Sequence, residues 1–336
     1  MKLKILSERA YQKWPSWHVV YEWEDIIAEK ANIPIVNYSN DIGTRIHSFF
    51  RRLCKKFYKK WMPEYKFNLS CECYIMFIMN AASYHILPTN NIIPIFLDFP
   101  INMIDDITRV TKGLPVFFVT CKDIYNILSS NGVKNVRYMP LSISDKHVQS
   151  DVPKKTIDVI QFGRKNNVLH DYMLKYCKER PNVEYIYQTD NGTLTYISTT
   201  RGIIGKFDSR DEYFDLIKSS KISLVSTPGF DNSRTADFGN IDFVTPRFYE
   251  SAASFCHMIG RYTSNDETTD LRLSDVCPNV SSYSEFANLV DAYLSEDYDW
   301  HIQREFVNSN LTSLRAEYII NEIEKAVYNN EEAQKS

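Results

Sequence analysis

The stretch Ile222–Arg261, ISLVSTPGFDNSRTADFGNIDFVTPRFYESAASFCHMIGR, decides how this chain is read. Its first run, Ile222–Ser226, is apolar enough for a strand covered on both faces. Thr227-Pro228-Gly229 ends that run as a turn. A loop rich in Asp, Asn, Ser and Gly follows. Thr245 and Pro246 then stand where a helix places its N-cap and first residue, so a helix is predicted over Arg247–Phe255. Cys256–Gly260 reads as the next strand. Strand, loop, helix and strand in this order make a βαβ unit.

The same alternation runs outward in both directions. Upstream, strands are predicted at Lys2–Leu6, Ile33–Asn37, Tyr74–Met79, Ile93–Asp98, Val116–Thr120 and Val136–Pro140. Helical patterns at Val19–Ala31 and Lys122–Asn131 separate some of them, the latter closed by Gly132. After a polar break at Ser144–Lys155 the series restarts. Strands are expected at Asp158–Phe162, Val183–Tyr187 and Ile222–Ser226, and helices at Val168–Arg180, Asp211–Ser219, Tyr283–Leu294 and Asp299–Tyr328. The expected class is α/β, with two Rossmann-like βαβ domains facing a central cleft. The expected boundaries are 1–148, 149–310 and a C-terminal helix and tail at 311–336. Ligands of open α/β sheets bind at the carboxyl ends of the strands, which directs attention to the loops that follow them.

Composition excludes several classes. Of 336 residues, 44% are hydrophobic and 24% charged, as in folded soluble proteins and unlike disordered or collagenous ones. No apolar run is long enough for a transmembrane helix. The N-terminal MKLKIL is too short and interrupted for a signal peptide, so a cytoplasmic location is expected. The seven cysteines are scattered without zinc-ligand spacing and read as reduced thiols. Charge is uneven: residues 1–150 carry 19 Lys+Arg against 13 Asp+Glu, and the remainder carries 20 against 29.

The predicted start of the Arg247 helix carries the first chemistry. A helix N-terminus aimed into a cleft attracts anions. Arg247 can fork onto a phosphate, and Glu250, one turn on, can accept hydrogen bonds from a ribose diol. The plain alternative is that Glu250 caps its own helix and pairs with Arg247. Arg164 and Lys165, after Gly163, suit a phosphate-gripping turn or a solvated surface pair. Thr227 and Gly229 line a sugar or phosphate pocket, or simply make a turn.

Arg247-Phe248-Tyr249-Glu250-Ser251-Ala252-Ala253 resembles the donor-binding segment R-[FY]-x-E-x-x-A of GT-B-type glycosyltransferases of the group 1 kind, in particular a spore-coat-protein-like subgroup. Phe117–Ser144 is similar to the end of their N-terminal domain, with Ser142 where glycine is usual in the Pro140–Ile143 turn. Val159–Lys165 resembles the first strand and glycine turn of their C-terminal domain. The likeness spans Ile93 to Leu294. It implies that Glu250 holds the ribose of a nucleotide-diphosphate sugar and that Arg247, with Arg164 or Lys165, holds the diphosphate. The usual pair of glutamates is reduced to Glu250, with Asp242 eight residues before it.

Transfer also needs a group acting on the acceptor. Asp98 ends a strand before Phe99-Pro100, where it is a base or an Asx-type turn. His18 is expected in the loop before the first helix, and His85 is a third option. No Asp-x-Asp stands at a strand end (Asp297-Tyr298-Asp299 lies between late helices), so no metal cofactor is expected. The segment His47–Met62, HSFFRRLCKKFYKKWM, alternates apolar and basic pairs at helical spacing. It suits an anionic membrane surface or an ordinary amphipathic domain helix, and the rest of the chain is too acidic for a nucleic-acid binder. The expected function is transfer of a sugar from a nucleotide sugar to a glycan or lipid-linked acceptor in surface polysaccharide or glycoconjugate synthesis. Its rivals are another GT-B enzyme, such as a sugar-nucleotide epimerase, and a catalytically degenerate scaffold.

Overall fold

The computed structural model describes residues 2–37, 49, 67–68, 71–81, 91–189, 194–207, 209–231, 241–295 and 299–335, with side chains to 328. The segment 47–62, apart from Phe49, and His85 lie outside the described residues. The chain divides into two compact units, one holding Met1–Pro140, Asp237–Ile241 and Thr312–Ser336, the other Leu141–Ala236 and Asp242–Leu311.

The first unit is built from β1 (Lys2–Ser7), α1 (His18–Ala31), β2 (Ile35–Asn37), β3 (Glu72–Asn80), β4 (Ile92–Asp98), α2 (Ile104–Thr111), β5 (Phe117–Val119), α3 (Lys122–Ser130) and β6 (Val136–Tyr138). Its sheet runs β2-β1-β3-β4-β5-β6, and every pairing is parallel. The apolar runs explain this. β4 is buried from Ile92 to Leu97 and β5 throughout, as strands covered by helices on both faces must be. Asn32 takes the left-handed conformation that closes α1, and Gly132 does the same just beyond α3. His18 is the first residue of α1, not a loop residue, because the chain is already helical from Pro15.

The second unit contains β7 (Ile157–Gln161), α4 (Asn167–Glu179), β8 (Tyr185–Gln188), β9 (Thr195–Ser198), β10 (Gly202–Lys206), α5 (Arg210–Lys218), β11 (Ser220–Ser226), α6 (Pro246–Ala253), β12 (His257–Arg261), α7 (Asp266–Asp270), α8 (Leu273–Val276), α9 (Tyr283–Ser295) and α10 (His301–Ser309). The sheet order is β10-β9-β8-β7-β11-β12. The strands from β8 to β12 across β7 and β11 are parallel, while β9 and β10 add an antiparallel edge. One face packs Val159, Ile222 and Ile259 against Leu169 and Met173 of α4 and Phe286 and Val290 of α9. The other packs Ile160 and Ile186 against Leu216 and Ile217 of α5. Side-chain oxygens of Asn166 and Ser209 cap α4 and α5.

Two further features depart from the sequence expectations. The β9–β10 hairpin is absent from them, since each strand is only four or five residues and the second begins at Gly202 with φ +72°. The single late helix expected over Asp299–Tyr328 is instead α10 followed by α11 (Thr312–Lys335). Between them Asn310 leaves the helical conformation and its carbonyl accepts from the Ile143 amide at 3.0 Å. That bridge diverts the chain, and α11 then packs with α1 in the first unit, where Glu322 accepts from Arg137 at 2.6 Å.

Candidate donor-binding site

In the second unit the chain leaves β7 for β8 on one side and later returns to β11 on the other. Strand order reverses there, so the carboxyl ends of β7 and β11 form a topological switch point, where open α/β sheets bind ligands. Gly163 follows β7 with φ +67°, a left-handed turn that suits glycine. Arg164, Lys165 and the capping Asn166 come next. Thr227, Pro228 and Gly229 follow β11, and α6 begins beside them.

Arg247 joins the two strand ends. Its guanidinium donates to the Arg164 carbonyl at 2.6 Å and to the Ser226 carbonyl at 3.3 Å. Its Cδ stands 3.7 Å from where a Cβ on Gly163 would be. Among the described residues no carboxylate pairs with it. Burial pulls its proton affinity below the ordinary arginine range, a cost that an anion at this point would offset. Two of its five N–H donors are used by the carbonyls. At the head of the same helix, Thr245 is buried, and its hydroxyl has no hydrogen-bond partner among the described residues. A cation and an unsatisfied hydroxyl thus both belong to the first turn of α6.

Asp242 organises the turn opposite. One carboxylate oxygen accepts from the backbone amides of Gly229 at 2.9 Å and Phe243 at 3.1 Å. The other accepts from the Thr227 hydroxyl and from the Thr263 amide at 3.4 Å. Among the described residues, four neutral donors serve this buried charge. Asp242 therefore shapes the loops after β11 and β12, and the Thr227 hydroxyl is directed at it.

Glu250 is 2% exposed. It pairs with Arg210 at 2.6 Å through one oxygen and accepts from the Tyr213 hydroxyl at 2.8 Å through the other. Arg247 is not its partner. Both donors come from α5, a helix whose side chains the sequence reading did not connect with the site. Their spacing, three apart on one face of an amphipathic helix, was the only available signal. Burial, followed by the negative charge of Glu250, holds the Tyr213 phenol well above its ordinary range, so it stays a donor. Each Glu250 oxygen keeps a second lone-pair direction, which is the capacity that a ribose diol would use.

The flanks are ordered as well. Asp231, with φ +55°, forms a two-pronged pair with Arg261 at the end of β12 and accepts from Asn166 at 3.2 Å. The Arg261 pairing holds the Asp231 carboxyl below its usual range. Lys165 lies over the Tyr187 ring, 5.1 Å from its centroid. Gly163, Arg164, Lys165, Thr227, Arg247 and Glu250 all belong to this second unit.

The acceptor-side candidates belong to the first unit. Asp98 ends β4, half-buried and in register with Asn80 of β3. His18 lies on the first turn of α1, its ring tilted against Tyr21 at 6.1 Å. Near the carboxyl end of β1, the buried Glu24 accepts from Ser7 at 2.5 Å and from Arg9 at 3.0 Å. Desolvation raises Glu24 to about 7. The described residues contain no cluster of His, Cys, Asp or Glu able to hold a metal ion and no helix long and apolar enough to cross a membrane.

No family model and no curated protein matches the chain. Solved structures do. The N-terminal domain of Candida albicans trehalose-6-phosphate phosphatase aligns over 96% of both chains, with a TM-score of 0.56 at 9% identity. The pneumococcal O-GlcNAc transferase GtfA, solved with UDP and GlcNAc, aligns over 84% of this chain at a TM-score of 0.50 and 10% identity. This is the GT-B type of α/β fold. The chain spans only 60% of the length of that transferase.

Proposed function

We propose that this protein is a nucleotide-sugar-dependent glycosyltransferase that works without a metal cofactor. The observation that carries the reading is Arg247, a half-buried cation bound to two backbone carbonyls at the switch point. A diphosphate is the dianionic group that fits beside it. There the N-terminus of α6 and the Thr245 hydroxyl supply further stabilisation for the leaving charge. In this reading Arg164 and Lys165 add positive charge, Gly163 lets the backbone approach, and Glu250 receives the ribose hydroxyls. Asp98 or His18 acts on the acceptor hydroxyl as base. The acceptor is a glycan or lipid-linked glycan in surface polysaccharide or glycoconjugate synthesis, made in the cytoplasm. The basic segment 47–62 is proposed to hold the enzyme on an anionic membrane.

The test is a thermal-shift panel of nucleoside diphosphates and nucleotide sugars. One nucleotide should raise the melting temperature of wild type, and Arg247→Met and Glu250→Gln should lose the response. At a hundredfold excess over Kd the shift corresponds to about 2.7 kcal/mol. A shift that both variants retain would remove these residues from the site.

A second reading has its own support: Glu250 and Asp242 are both engaged by protein donors. A degenerate scaffold would need no ligand at either. Absence of any nucleotide response in wild type would favour it.

A further inference from the structure

The surroundings of Glu250 depend on two helices being held at the right spacing, since Glu250 lies on α6 while its donors Arg210 and Tyr213 lie on α5. The segment by which the chain enters the second unit, residues 141–156, reaches both helices. It is fastened near its start, where the Ile143 amide donates to the Asn310 carbonyl at 3.0 Å. It is fastened again at its end, where the Thr156 amide donates at 2.8 Å to the Ser219 carbonyl, just beyond α5. Between these points two side chains bear on the helices.

The first is His147, buried at the end of a short 3-10 turn. Its ring lies nearly parallel to that of Phe214 in α5, with the centroids 3.6 Å apart and 11° between the planes. The Arg210 guanidinium carbon stands 4.6 Å from the same Phe214 centroid, and Arg210 pairs with Glu250 at 2.6 Å. His147, Phe214, Arg210 and Glu250 are thus consecutive contacts. The second is Lys155, which is half-buried. Its ammonium donates at 2.9 Å to the carbonyl of Lys218, the last residue of α5, and at 2.6 Å to the carbonyl of Ser254, the C-cap of α6. A cation at a helix C-terminus satisfies a leftover carbonyl and complements the negative end of the dipole. Lys155 does this for α5 and α6 at once and so ties their ends together. The entry segment is therefore a clamp, with one point on the body of α5 and one across the ends of α5 and α6.

We propose that His147 and Lys155 are positioning residues for Glu250: through α5 and α6 they make the geometry around this carboxylate depend on the segment by which the chain enters the second unit. The consequence for donor binding rests on the reading of the protein as a nucleotide-sugar enzyme, whereas the clamp itself is tested without ligand. In urea denaturation, the factor by which Glu250→Gln lowers the folding constant should be about fivefold smaller in a Lys155→Met background than in wild type, a coupling of about 1 kcal/mol. His147→Ala should couple with the same sign. Lys155→Arg, which keeps donors for both carbonyls, should behave as wild type. Val290→Ala, in the core on the other face of the sheet from α5, should be additive with Glu250→Gln. In isothermal titration, the nucleoside diphosphate that most stabilises wild type should bind Lys155→Met and His147→Ala about tenfold more weakly, and Lys155→Arg about as well. Additive cycles for both variants, or nucleotide affinity unchanged in both, overturn the proposal. Coupling in the cycles with no nucleotide response in wild type would sink the donor reading and leave the clamp standing. A nucleotide response in wild type with additive cycles would sink the clamp alone. Should Lys155→Met not fold, His147→Ala carries both measurements.

Discussion

Removing the Glu250 carboxylate tests the heart of the second unit before any ligand is added. Glu250 is 2% exposed, and the Arg210 side chain that it pairs with is 11% exposed. Glu250→Ala takes from a largely buried guanidinium the carboxylate that it pairs with at 2.6 Å, a loss of about 3–5 kcal/mol. It also strips the Tyr213 hydroxyl of its acceptor, about 1–3 kcal/mol more if nothing replaces it. Arg210→Met removes the charge, together with the guanidinium carbon that stands 4.6 Å from the Phe214 ring centroid, but keeps most of the aliphatic stem. The double variant has no orphaned charge and should recover much of the loss. The expected coupling is therefore about 3 kcal/mol, read from a double-mutant cycle of urea denaturation curves. For a domain of this size each kcal/mol moves the melting temperature by about 2–4 °C, so Glu250→Ala should lie about 10 °C below wild type. A cost under about 1 kcal/mol with no coupling to Arg210 would refute the argument, because it would mean that the pair is not desolvated. The same cycle sets the baseline for the nucleotide experiments: a ligand response must be measured as a shift within each variant, not against wild type.

Four further outcomes follow from other sites. His257, buried between the Tyr293 and Trp300 rings, is depressed to about 4 by burial and then by Lys155. Its stabilising contribution is therefore full above about pH 6.5 and lost as the pH falls toward about 4. At pH 5 the loss is about 2 kcal/mol, and His257→Phe should show a flatter acid-denaturation profile by circular dichroism. Gly260→Ala would bring a Cβ to 2.6 Å from the Cys277 sulfur and 3.0 Å from the Tyr262 ring, so it should cost about 1–3 kcal/mol in urea denaturation. Gly163→Ala meets no clash, only the Arg247 Cδ at 3.7 Å. Its left-handed φ should still cost about 1–2 kcal/mol by calorimetry. Asp242→Ala should lower the melting temperature by several degrees, since four donors lose their acceptor.

The parallel core was legible because buried strands announce themselves. Ile92–Leu97 and Ile222–Ser226 are continuous apolar runs, and their predicted limits agree with β4 and β11 within two residues. Thr245 and Pro246 mark a helix start by residue type alone. The edge hairpin was not legible: Thr195–Ser198 and Gly202–Lys206 are short and half-solvated, so neither a buried run nor a clean alternation appears. The break at Asn310 was hidden for a different reason, since a backbone bridge to Ile143, far away in sequence, causes it. The site shows the same division. Motif order drew attention to Arg247 and Glu250, and a local pairing between them was an open alternative. The real partner of Glu250 lies forty residues earlier, on α5. Only the packing of α5 against α6 brings Arg210 to that carboxylate.

An anionic donor in an acidic half of the chain poses an electrostatic question, since residues 151–336 carry 20 Lys+Arg against 29 Asp+Glu. The geometry answers it locally. Of the described carboxylates around the switch point, Glu250 is paired with Arg210 and Asp231 with Arg261, while Asp242 is hydrogen-bonded by uncharged donors that leave its charge in place. Arg247 differs in kind: its described partners are carbonyl oxygens, which carry partial charge only. Among the described residues, Arg247 at the head of α6 is thus paired with no carboxylate, although the unit around it is net acidic. Excess surface carboxylates act through water and salt and decay over about 10 Å, whereas Arg247 acts at contact distance in a half-buried setting where charge counts for more than in water. A consequence separates local from global recognition. Raising salt from 50 to 500 mM should change nucleotide affinity by no more than a few-fold, because the attraction is short-ranged and half-buried. A steep salt dependence in isothermal titration would instead assign binding to the exposed Arg164 and to long-range charge, and would remove Arg247 from the centre of the site.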